Sequence, residues 1–182
     1  GEPTRLPPAR PTGVAVGGPF VPAVDPLARV DAALARLASL RATARKLPLA
    51  RPLPGNPTVT SEFGGRSDPF LGVGAMHTGI DFRAETGDPV RVTGAGVVIA
   101  SGRQGGYGLC VDVDHGNGIV TRYGHLSGLS VSVGDSVKTG DVVGLAGSTG
   151  RSTGPHLHYE TRVAGEAVDP ADWLDAGRAM GF

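Results

Sequence analysis

From Thr58 to about Pro170 the chain is interrupted every few residues by glycine, aspartate or serine, and no stretch between interruptions shows a helical repeat. Segments this short suit strands, which typically run about five or six residues. The candidates are 58–63, 78–82, 89–93, 96–101, 108–114, 118–124, 131–133, 141–145 and 156–163. Between two of them, Asp114-His115-Gly116-Asn117-Gly118 is a hairpin signal, because Asn and Gly accept the positive φ of a tight turn. Many short strands without intervening helices predict a mainly β domain over 58–182, with a helix only from about Pro170.

The chain ahead of that domain has a different composition. Eleven of the 15 prolines lie at or before Pro57, and 25 of the 30 glycines lie after it. Residues 1–24, rich in Pro, Gly and Ala, hold too little apolar surface to offset their ordering entropy and are expected to be extended. Residues 25–57 predict a helix followed by a Pro-rich linker. Asp25 suits the N-cap and Pro26 the first helical position. Leu27, Val30, Leu34 and Leu37 then form one apolar stripe, with Arg29, Asp31, Arg36 and Arg41 off it. The helix should end near Lys46, before Pro48. Its stripe suits packing on its own domain, the tail of a coiled coil or a lid, and two heptads do not separate these. Residues 47–57 read as a stiff linker.

Length and charge exclude several classes. The 182 residues hold one domain with a core plus accessory structure. With 17 basic and 17 acidic residues, nothing favours nucleic acid or an anionic membrane as main partner. No run of 18 apolar residues is present to span a bilayer. Cys110 has no internal partner and reads as a core-filling thiol, which leaves the redox compartment open. A chain starting at Gly1 is expected to be a fragment, with an N-terminal targeting or membrane segment removed.

The five histidines carry the chemistry. Four fall in three motifs: Met76-His77-Thr78-Gly79-Ile80-Asp81, Tyr123-Gly124-His125-Leu126 and Gly154-Pro155-His156-Leu157-His158-Tyr159-Glu160. Alternation on a strand puts His156 and His158 on one face and Leu157 and Tyr159 on the other, so one histidine can bind metal while the other works beside it. His77 and Asp81 would lie about 13 Å apart on a straight strand. Donors to one zinc must lie within about 3–4 Å of each other, so that segment must bend, and Gly79 allows it. Two imidazoles and a carboxylate leave one position on zinc open, the mark of a catalytic site. His115 sits in a polar turn and receives no function. There is no His-Glu-x-x-His helix and no Gly-x-Ser-x-Gly elbow. The loop Gly147–Gly154 lacks the Gly-Lys-Ser/Thr ending of a phosphate loop and instead suits a cleft wall.

In order along the chain, Thr60–Pro69, His77–Phe82, Gly105–Gly108, Thr121–Leu126 and Gly147–Glu160 resemble the lysostaphin/LytM-type zinc endopeptidases, which cut peptide bonds in peptidoglycan. The resemblance covers about two-thirds of the chain, from Pro57 to Leu174. It implies an antiparallel β-sheet fold with an open groove floored by one zinc ion. It assigns His77, Asp81 and His158 as ligands, and His125 and His156 as catalytic histidines that do not bind the metal. Tyr107 suits the groove wall or the core equally well. The implied partners are peptidoglycan stem peptides or cross-bridges. The implied location is the cell envelope, periplasmic or extracellular. A protein regulator would act through the N-terminal helix, and any membrane contact through the missing N-terminal segment. Residues 25–57 are a candidate groove-filler, with Asn56 or Asp25 reaching the metal, although a plain spacer fits better. The alternative from another class is a non-catalytic LytM-like activator of a cell-wall amidase, a type that usually lacks the ligands present here. The bond cleaved is left open; the Ala-, Arg- and Pro-rich composition leans toward direct cross-links over polyglycine bridges.

Overall fold

A computed structural model of the chain describes residues 26–67 and 74–182. The expected extended segment 1–24, the Asp25 cap and the Asp68-Pro69 end of one motif lie outside the described residues. Helix α1 spans Pro26–Ala44, two residues short of its expected end. The chain divides into two units between Arg36 and Leu37. The first contributes the leading half of α1, where Leu27, Val30 and Leu34 are exposed.

The second unit is built from β1 (Val59–Ser61), β2 (Gly64–Ser67), β3 (Gly74–His77), β4 (Ile80–Arg83), β5 (Pro89–Arg91), β6 (Gly96–Arg103) and β7 (Leu109–Gly116). It continues through β8 (Ile119–Leu126), β9 (Gly128–Leu129), β10 (Ser136–Val137), β11 (Val142–Leu145), β12 (His156–Val163), β13 (Glu166–Val168) and α2 (Pro170–Met180). The main sheet is antiparallel and runs β1-β4-β12-β8-β7-β6-β10, with β13 beside β12. A small sheet, β5-β11-β9, and the hairpin β2-β3 complete it. Asn117, at φ +56, makes the expected turn between β7 and β8.

One expected strand is absent. Val131-Ser132-Val133 alternates like a strand, but the Asp135 side chain accepts the Ser132 N–H at 2.8 Å and folds the segment into a turn. The strand in this region is Gly128–Leu129. Strands β2, β3, β10 and β13 were not expected, being short or glycine-rich.

Alternation on β4, β8 and β12 builds the core. Ile80, Phe82, Tyr123, Leu157 and Tyr159 point to one face and are at most 4 % exposed. The two tyrosine hydroxyls need partners there, and Thr93 supplies them: its Oγ1 lies 3.1 Å from Tyr123 and 3.0 Å from Tyr159. Thr121 Oγ1 lies 3.0 Å from the Tyr123 hydroxyl and 2.8 Å from His115 Nε2, while His115 Nδ1 donates to the Ala95 carbonyl. His115 is therefore a structural histidine in a buried polar chain.

Residues 47–57, expected as a stiff linker, lie against the domain. Leu49 and Leu53 are 3 % and 4 % exposed, and Leu53 joins the core. Ala50 N–H donates to the Thr93 carbonyl, and Arg91 N–H donates to the Pro52 carbonyl. A Cβ on Gly94 would sit 2.6 Å from the Leu47 carbonyl oxygen, so the close approach of this strap requires glycine there.

Candidate metal centre and groove

The register of the central strands assembles the site. β12 lies between β4 and β8, and His158 is directly opposite Asp81 on one side and Gly124 on the other. Asp81 falls between core residues Ile80 and Phe82, so it faces the same side of the sheet as His158. His77 ends β3, and a bend at Gly79 returns the chain into β4. The glycine is required by space: a Cβ there would lie 2.3 Å from the Tyr159 carbonyl oxygen on β12.

The five expected residues come together. His77 Nε2 is 3.1 Å from Asp81 Oδ1, His158 Nδ1 is 2.8 Å from the same oxygen, and the two ring nitrogens are 3.2 Å apart. All three side chains are buried. The His125 and His156 ring centroids are 4.7 Å apart, and His156 Nε2 reaches 3.8 Å from Asp81 Oδ1.

Each histidine is held by an acceptor on its outer side, and this fixes where its proton sits. His77 Nδ1 donates to the Glu62 carbonyl at 2.7 Å, and His158 Nε2 donates to Glu160 Oε1 at 3.1 Å. His125 Nδ1 donates to the Thr149 carbonyl and His156 Nδ1 to the Gly154 carbonyl, both at 2.8 Å. A neutral imidazole donates from only one nitrogen. His77 Nε2 and His158 Nδ1 therefore aim lone pairs at each other and at a carboxylate oxygen. Three acceptors at such distances repel unless a cation lies among them, and two nitrogens with one oxygen suit zinc. The residues present thus fit one metal ion.

Burial pushes the His125 ring down to about 4, against the hydrogen bond to Thr149, so it is neutral near pH 7. His125 also has a left-handed backbone, φ +59.

The groove is open, about 480 Å³, and lined on one wall by Arg66 and Met76 of β2-β3 and on the other by Tyr107 and residues 151–155. That volume lies within the range of small-ligand sites. Tyr107, left open by the sequence, lines this wall, and Arg122 stacks 4.4 Å from its ring centre. None of residues 45–57 lines the groove; Asn56 borders a separate small pocket with Arg51 and Arg178. Asp25 lies outside the described residues. Two contributors were missed: Glu160, fully buried behind His158, and Arg66, 3.7 Å from Asp81. For Glu160 a signal existed, since it stands two residues beyond His158 and so shares its face.

A family model described as Peptidase family M23 matches residues 75–170. The chain is 51% identical over 112 residues to the DD-carboxypeptidase/endopeptidase Mpg of Neisseria meningitidis serogroup B, covering 62% of this chain and 26% of that protein. It is 46% identical over 95 residues to the peptidoglycan DD-endopeptidase ShyA of Vibrio cholerae, covering 52% and 22%. The chain thus spans about a quarter of the length of these curated relatives. The solved catalytic domain of the antimicrobial peptidase lysostaphin from Staphylococcus simulans superposes with a TM-score of 0.61 at 33% identity, over 66% of this chain and 93% of that one. The matched stretch contains 96 of the 182 residues and all five site side chains, and the chain belongs to peptidase family M23.

Proposed function

We propose that this chain is a zinc-dependent endopeptidase that hydrolyses peptide cross-links of bacterial peptidoglycan. The convergence of two unprotonated ring nitrogens and Asp81, with every outer nitrogen already engaged, is the observation that carries this reading. His77, Asp81 and His158 hold the metal. Zinc, when bound, polarises a carbonyl and acidifies water.

The other residues handle protons and position. His125 and His156 engage Nδ1 with the Thr149 and Gly154 carbonyls, which leaves Nε2 as the ring nitrogen each can offer in the groove. One accepts the proton of the attacking water, and the leaving amine is protonated in turn. Arg66, with its side chain 36 % exposed at the groove, suits a substrate carboxylate. The peptidase unit is residues 58–182, with 45–57 strapped to it.

The relatives named for peptidoglycan cleavage support a cell-envelope location, periplasmic or outside the cell. None of the described helices is long and apolar enough to cross a membrane. The DD specificity in the names of Mpg and ShyA favours a bond between D-configured centres over polyglycine bridges, since glycine is achiral.

Hydrolysis of purified cross-linked peptidoglycan tests the reading, with muropeptides separated and weighed. Zinc-loaded protein should consume cross-linked dimers, while His125→Ala and a chelated control should not. Intact dimers after treatment with the zinc-loaded chain would sink the proposal.

A further inference from the structure

We propose that Glu160 is a positioning residue for the metal: it locks the His158 ring with Nδ1 turned toward Asp81 and strengthens that nitrogen as a donor. This rests on the zinc reading above and extends it to a residue that touches neither metal nor substrate.

A carboxylate with no solvent exposure is tolerated only when its oxygens are well matched by donors. Glu160 meets that condition in an uneven way. Oε1, the oxygen facing the site, receives the Thr78 hydroxyl, the Tyr107 hydroxyl at 2.8 Å and His158 Nε2–H at 3.1 Å. Oε2 receives only Arg162 Nε, at 2.7 Å. Had the residue served only to anchor Arg162, a side chain one-quarter exposed, the donors would not gather on the opposite oxygen.

The three Oε1 donors come from the three segments around the metal donors. Thr78 lies in the bend that brings His77 back to Asp81, Tyr107 in the turn that walls the groove, and His158 on the central strand. An ionised carboxylate accepts and never donates, so the His158 proton belongs on Nε2 and the lone pair on Nδ1. Nδ1 then lies 2.8 Å from Asp81 Oδ1 and 3.2 Å from His77 Nε2. A negative charge behind an imidazole also raises the basicity of its far nitrogen. Four donors converge on the two oxygens of Glu160, one of them the Arg162 guanidinium, and this set matches an ionised carboxylate.

The test compares the full chain with Glu160→Gln and Tyr107→Phe. Zinc affinity is measured by competition with a chromophoric chelator, and apo-protein melting reports the fold. Glu160→Gln should bind zinc roughly 10–100-fold more weakly. Tyr107→Phe, which removes one donor from the same oxygen but keeps the carboxylate, should retain wild-type affinity. Imidazole nitrogen NMR of the zinc-loaded wild type adds a readout that needs no variant to fold; it should show His158 metallated at Nδ1 and protonated at Nε2. Wild-type affinity in Glu160→Gln, equal weakening in Tyr107→Phe, or zinc on His158 Nε2 overturns the inference and leaves the metal reading intact. Absence of zinc on the wild type overturns both.

Discussion

His125 carries no metal in this reading, so its removal separates chemistry from assembly. His125→Ala should lower kcat/KM on cross-linked muropeptides by about 10²–10⁴-fold while zinc content stays at wild-type level. Loss of zinc from that variant would instead make the ring a ligand. His115 answers a different question, because it belongs to the core. Burial lowers its pKa, and the Ala95 carbonyl only partly opposes this. As pH falls below about 6.5, the unfolded chain takes up the proton first, and the native state loses stability relative to it. His115→Gln carries no such proton. The stability of wild type relative to this variant should therefore fall as pH drops through about 6.5, followed by thermal melting. A constant difference across that range would contradict a neutral buried ring.

At the scale of elements, the bend between β3 and β4 is the most constrained junction. A methyl group at Gly79 would meet backbone of the central strand, which cannot yield as a side-chain tip can. Gly79→Ala should cost about 1–3 kcal/mol of stability and weaken zinc binding, measured by melting and chelator competition. Strands β4, β7, β8 and β12 were legible because they alternate apolar and polar residues over a full strand. The β2-β3 hairpin was not, since Gly64-Gly65 and Gly74 bury no apolar row that a pattern could reveal. The linker between α1 and β1 was read as stiff from its prolines. Its role as a strap depends on where Leu49 and Leu53 land, and that is set by the sheet rather than by local sequence. Four of the five histidines stood out because few other residues supply nitrogen donors. Strand alternation places Glu160 on the face of His158, but its donors Thr78 and Tyr107 are distant in sequence and come together only in the fold.

For the whole molecule, the strap changes what truncation should do. Removing residues 1–36 takes away only the first unit and should leave melting of the remainder near its original temperature. Removing residues 1–57 strips Leu49 and Leu53 from the domain. A buried leucine truncated to alanine typically costs about 2–5 kcal/mol, so this deletion should melt far lower or fail to fold. A rise in activity of the longer deletion, with unchanged melting, would instead support a groove-filling role for that segment. The converging acceptors also make the metal part of the fold. At a free zinc concentration about 1,000 times Kd, the ion contributes about 4 kcal/mol, and chelation should lower the melting temperature accordingly.

The left-handed backbone at His125 has an evolutionary corollary. Glycine would occupy that conformation with less strain, by about 1 kcal/mol. A population released from the need for cleavage should therefore no longer hold histidine against this backbone, and residues that accept the left-handed conformation, glycine and asparagine, should enter there. Persistence of histidine at this position would record continuing demand for the reaction, paid in stability.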